Sequence, residues 1–175
     1  MGESTFKLFI YLVTTIMQFY ILKQSNFLHK YLWGDQDFPR YWANYPCTQI
    51  PNYLDDFYVM KLAYHCKEIV YTLIFHYNRR DLSEFLLHHF VTVFLVLFSY
   101  SMNYLPVGAV IMLIHDIPDV MLNCFRISMD CLSFKYYMSA YAGMVLSWLY
   151  FRIYFFYYWI IRVIEIEKVE INHPV

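Results

Sequence analysis

From Phe6 to Leu22 the chain is apolar apart mainly from Lys7, Thr14, Thr15 and Gln18, and no small-residue cleavage site precedes Lys23, so a retained membrane span is predicted. Lys23 to Asp56 is mixed. It holds Pro39, Pro46 and Pro51 with scattered charge, and reads as an interfacial segment in which Trp33 and Trp42 meet headgroups. Phe57 to Tyr77 carries Lys61, His65, Lys67, Glu68 and His76, yet as a helix it rises about 31 Å, close to the hydrocarbon thickness. A span whose polar face meets other helices is expected there. Lys67 and Glu68 point about 100° apart on such a helix and are not expected to face each other.

Two clearer runs follow. Phe85 to Tyr100 is interrupted only by His88, His89, Thr92 and Ser99, and Val107 to Phe125 by His115, Asp116, Asp119 and Asn123. The segment Met102 to Pro106 is short enough to predict an antiparallel helical hairpin. Tyr136 to Ile164 would be about 43 Å long as a helix, more than one bilayer core, so it must tilt, extend into water or break.

These elements predict an all-α fold, a polytopic transmembrane helical bundle with about five spans. Residues 1–40 supply the first span and an interfacial segment, residues 41–167 a membrane domain, and residues 168–175 a short polar tail. No internal repeat or linker divides the chain further.

Composition agrees: 60% of the 175 residues are hydrophobic, 15% are charged and 22% are aromatic, which separates the chain from soluble domains and from disordered ones. With 13 Lys and Arg against 14 Asp and Glu there is no basic stripe for a phosphate backbone, so nucleic acid is not an expected partner. Cys47, Cys66, Cys124 and Cys131 show no CxxC spacing and read as buried hydrophobes or surface thiols. Basic residues leave orientation open, because Lys7, Arg79, Arg80, Arg126 and Lys135 balance Lys23, Lys30, Arg40, Arg162 and Lys168.

The chemistry lies in the ionisable residues inside the apolar runs, since an unpaired ionisable group in hydrocarbon costs several kcal/mol and normally faces the bundle interior. Counted from Asn103, His88 and His89 lie about 21 to 23 Å along one helix, and Asp116 and Asp119 about 20 to 24 Å along the next. The four are therefore expected at one depth. Asp116 and Asp119 share a helix face, as do His88 and Thr92, and Pro118 should bend or open the backbone between the aspartates. Imidazole beside carboxylate forms an acid/base pair. The spacing matches no compact zinc signature, and no metal is expected. His115 serves as a local brace or joins the chemistry. His65 and His76, with no matched partner in the sequence, read as packing or interfacial residues. Arg152, inside an aromatic run, pairs with a carboxylate, meets an anionic substrate or snorkels; Arg79 and Arg80 form a collar that anchors to headgroups or meets phosphates.

The stretch RRDLSEFLLHHFVTVFLVLFSYSMNYLPVGAVIMLIHDIPDVMLNCFR, Arg79 to Arg126, resembles the TLC domain of the ceramide synthase (longevity-assurance) family. The likeness rests on a basic residue and Asp before the span, paired histidines followed by Thr, Ser-Tyr, a later Asn and Gly, and His-Asp-x-x-Asp. Weaker resemblance runs from about Tyr41 to Glu167. It implies a multi-pass enzyme of the endoplasmic reticulum membrane that moves a fatty acyl group from acyl-coenzyme A to a sphingoid base, with acyl-coenzyme A as cosubstrate and no other cofactor. The resemblance also implies that His88, His89, Asp116 and Asp119 are catalytic, with Arg152, His115, Asn103, Arg79 and Arg80 as substrate contacts. A homo- or hetero-dimer is left open. The chain departs from the family pattern at Lys61, where an acidic residue is usual, and at Asn123, and its early end implies a partial or shortened member.

Overall fold

A computed structural model describes residues 2–25, 27–34, 41, 47–158 and 161. The side chains of Glu3 and Tyr31 are outside that description, as are Trp42, Arg162 and the tail 168–175 to which expectations were attached. The described residues form five α-helices: α1 Gly2–Lys23, α2 Leu54–Phe75, α3 Leu82–Ser101, α4 Leu105–Cys131 and α5 Phe134–Trp148. A single 3₁₀ turn, Lys30–Leu32, lies between α1 and α2, and α5 passes directly into a π-helical stretch, Leu149–Phe155.

The all-α expectation holds; the span count does not. Among the described residues three helical segments are long and apolar enough to cross a membrane, Ser4–Lys23, Leu82–Ser101 and Leu105–Cys131. The other two fail for different reasons. α2 carries Asp55, Asp56, Lys61, Lys67 and Glu68, too many ionisable groups for its length. The long final run is divided, because α5 proper has 15 residues before the geometry widens to π.

The chain divides into two compact units, Met1–Tyr20 with Val110–Val175, and Ile21–Ala109. The core of the Ile21–Ala109 unit is built from the end of α1, the following loop and the first turns of α2, where Leu22, Leu28, Leu32 and Leu54 are fully buried. Tyr41 closes this core by stacking on Phe27 and donating its hydroxyl to the Phe27 carbonyl at 2.8 Å.

α2 and α3 pack along each other in this unit, and α2 is turned inside out relative to a helix of a soluble protein. Lys61, His65, Glu68 and Thr72, spaced four, three and four apart along one face, are buried, while Val59, Val70, Leu73, Ile74 and Phe75 are exposed. α1 repeats the arrangement, burying Thr14 and Gln18 and exposing Phe6, Phe9, Leu12 and Ile16. Apolar surroundings are the solvent that such helices suit.

The turn after α3 is tied by a compact polar knot. Asn103 takes φ 55°, in the left-handed region that Asn tolerates better than most residues. The Ser99 hydroxyl donates to the Tyr104 carbonyl at 2.9 Å, and the Tyr58 hydroxyl, reaching over from α2, lies 2.9 Å from the Leu105 carbonyl and 3.1 Å from Ser99 Oγ. Gly108 leaves room for both hydroxyls: a Cβ there would stand 2.2 Å from Ser99 Oγ and 2.3 Å from the Tyr58 hydroxyl.

In the other unit, α4 continues through Pro118 without interruption, and Leu113, Ile114 and Pro118 are fully buried. Phe155, in the π-helical stretch, is buried as well.

Candidate functional site

The ionisable residues inside the helices form two clusters, one in each unit. In the Ile21–Ala109 unit the adjacent histidines of α3 have different surroundings. His89 is buried and His88 is exposed, as neighbours on a helix about 100° apart must be when one face packs. His89 Nδ1 lies 3.0 Å from His65 Nδ1 of α2. Its ring also packs on Phe85, with centroids 4.3 Å apart, and meets the His88 ring at 5.3 Å.

That contact corrects the reading of His65. With no matched partner in the sequence it reads as a packing or interfacial residue, whereas it is the direct hydrogen-bonding partner of His89 across two helices. Only tertiary structure brings them together. The one signal available was that His65 falls on the same α2 stripe as Lys61, Glu68 and Thr72. Lys67 and Glu68 need a correction too, because Lys67 Nζ reaches Glu68 Oε1 at 2.7 Å. The angular argument holds for Cβ positions, and the flexible lysine stem overcomes it: half-exposed Lys67 bends over its helix to the buried carboxylate and over the Tyr71 ring, 5.0 Å away.

Arg79 supports the same corner. Its guanidinium forms a two-pronged pair with Asp81 at 2.7 and 2.6 Å and stacks over Phe85 at 4.5 Å, so it braces the ring that packs on His89. Arg80 is exposed. Thr92 spends its hydroxyl on the His88 carbonyl at 2.8 Å, an ordinary back-bond along the helix. His76 sits at the end of α2 beside Tyr71, and Asn103 shapes the turn described above.

The second cluster joins α4 to the π-helical stretch. Arg152 Nη2 lies 2.5 Å from Asp119 Oδ1 and donates to the His115 carbonyl at 3.1 Å. Both charged side chains are about one-fifth exposed. The carboxylate partner expected for Arg152 is thus Asp119. Its Nε is buried with no acceptor among the described residues. His115 Nδ1 donates locally to the Ile111 carbonyl, 2.8 Å away, and its ring meets Phe156 edge-on at 5.1 Å. Asp116 is buried at 6% exposure, and buried Asn123 donates to the Asp119 carbonyl at 2.8 Å. A cavity of about 710 Å³ borders Arg152, lined by Ile153, Phe156, Tyr157 and Ile161 among others.

Wider π geometry is seldom stable on its own and is found where a side chain has to be placed off the α register. Here it carries the arginine that neutralises Asp119. Among the described residues no group of three or more His, Cys, Asp or Glu is arranged to hold a metal ion.

The TLC domain profile matches residues 1–173. The chain belongs to the TLC domain family. Its similarity reaches ceramide synthases of animals and plants and sphingosine N-acyltransferase lag1 of Schizosaccharomyces pombe. Ceramide synthase 4 of Bos taurus is 31% identical over 125 residues, covering 71% of this chain and 30% of that protein. Ceramide synthase hyl-2 of Caenorhabditis elegans is 25% identical over 166 residues, 93% of this chain and 47% of its own length. Ceramide synthase LOH2 of Arabidopsis thaliana is 25% identical over 174 residues, 96% of this chain and 54% of its own. The chain therefore spans about half or less of these relatives. No solved structure matches it at a significant level. As a TLC domain with three helices fit to cross a bilayer, it is a multi-pass membrane protein.

Proposed function

We propose that this TLC domain protein is an N-acyltransferase of the ceramide synthase type, joining a fatty acyl group from acyl-coenzyme A to a sphingoid base in the endoplasmic reticulum membrane. The observation that carries the proposal is the His88–His89 pair on a membrane-spanning helix, with one ring clamped by Phe85 and His65 and the other exposed, in a chain whose relatives bear the name ceramide synthase. The thioester C–S bond breaks and an amide C–N bond forms. An imidazole takes the proton that the amine loses, and the departing coenzyme A thiolate receives it. His88 is the ring that meets the substrates, and His89 is held behind it. Asp116 and Asp119 are the acidic residues of the family motif, read here as counter-charges in the reaction, and Arg152 orients Asp119. The inside-out pattern of α2 supports a reading in which that helix lies against lipid with its polar stripe turned to the protein.

The test is ceramide formation in membranes from cells lacking their own synthase, comparing the intact chain with His88→Ala and Asp116→Ala at equal protein levels. The intact chain yields ceramide, and each substitution lowers the rate by about 10²- to 10⁴-fold. Equal product from all three would remove the assigned roles. Sphingoid-base binding without turnover by the intact chain would assign it to lipid binding.

A further inference from the structure

His65 stands outside the paired-histidine motif, yet it makes a direct polar contact with the buried member of that pair, Nδ1 to Nδ1 at 3.0 Å. A neutral imidazole carries its single N–H on one nitrogen, so this contact requires one ring to donate and the other to accept. When both rings are neutral they are therefore opposite tautomers. While the bond lasts the tautomer of His89 is coupled to that of His65: its Nε2 carries the N–H where His65 donates and a bare lone pair where His65 accepts. Orientation is restricted by the same neighbours: Phe85 packs on the ring at 4.3 Å, His88 lies at 5.3 Å, and the two bonded rings meet at a centroid distance of 5.2 Å. Both members of the bond are more than nine-tenths buried, so water competes poorly for it.

We propose that His65 is a positioning residue for the acyl transfer, holding His89 in one tautomer and one ring orientation. The proposal rests on the acyl-transfer reading for its kinetic consequence, but not for its structural one. A general base or its support works only in the tautomer that presents the correct nitrogen, and a ring sampling both forms spends part of its time inactive.

Two substitutions separate hydrogen bonding from packing. His65→Phe keeps a ring of similar girth and removes the bond. His65→Asn places an amide near the position of Nδ1 and can donate or accept. The intact chain, labelled with ¹⁵N-histidine and held in lipid nanodiscs, is examined by solid-state NMR, with His89→Asn identifying the His89 signals. Turnover is measured with sphinganine and palmitoyl-, stearoyl- and behenoyl-coenzyme A. The expected result is one His89 tautomer in the intact chain and in His65→Asn, and a mixture in His65→Phe. His65→Phe lowers kcat about tenfold or more while KM stays within about twofold, and His65→Asn restores most of the loss. A single His89 tautomer whatever stands at position 65 would overturn the proposal, and so would undiminished kcat in His65→Phe, or equal loss in both variants. If the tautomer follows residue 65 while the intact chain turns over none of the three thioesters, the positioning stands and the acyl-transfer reading fails.

Discussion

Arg152 holds Asp119 across 33 residues of sequence, Nη2 to Oδ1 at 2.5 Å, while the same nitrogen donates to the carbonyl of His115 one helical turn earlier. Each side chain is about one-fifth exposed, so water screens the pair little. Removing one partner strands a largely buried charge, whereas removing both leaves two neutral groups of similar shape. Asp119→Asn and Arg152→Gln should each lower stability, and the double variant should lose less than the sum of the two. A coupling of about 1–3 kcal/mol is expected from a double-mutant cycle of thermal unfolding in nanodiscs. Strict additivity would show that the pair carries no stability.

The sequence reached Arg152 and Asp119 separately, because a charge inside an apolar run is visible in one dimension. It named a carboxylate as one partner for the arginine but could not choose among them. That choice depends on the π-helical register of Leu149–Phe155, which no apolar periodicity announces. His65 shows the opposite failure. Its partner is 24 residues away on another helix, and a search by local spacing returns nothing. The span count failed at α2 for a different reason: its polar residues were expected to turn inward, and Lys61 and Glu68 are buried, but Asp55, Asp56 and Lys67 stay exposed.

Gly108 is a packing requirement. A methyl group there would lie 2.2 Å from Ser99 Oγ and 2.3 Å from the Tyr58 hydroxyl, both fixed by other hydrogen bonds. Relief requires breaking the knot that ties α2 to the turn after α3. Gly108→Ala should lower stability by about 1–3 kcal/mol, read as a fall in Tm of the purified chain. An unchanged Tm would mean that the turn adjusts freely.

Tyr58→Phe removes a single oxygen from the same knot without altering ring packing. The hydroxyl is buried and shared between the Leu105 carbonyl and Ser99 Oγ, so its loss leaves the Leu105 carbonyl without that donor. A loss of about 1–2 kcal/mol is expected. Because Gly108→Ala displaces this hydroxyl anyway, the two substitutions together should cost less than their sum.

Cys66 provides a native probe of α2. It is exposed on the helix beside apolar Val59 and Val70, away from the buried stripe of Lys61, His65 and Glu68. A thiol facing hydrocarbon is out of reach of a water-soluble maleimide. With Cys47, Cys124 and Cys131 replaced by Ser, Cys66 should stay unlabelled by a water-soluble maleimide in sealed or opened vesicles and become labelled once detergent unfolds the chain. Rapid labelling in intact membranes would place this face of α2 in water, and the polar stripe would then need an explanation other than a lipid-facing helix with its charges turned inward.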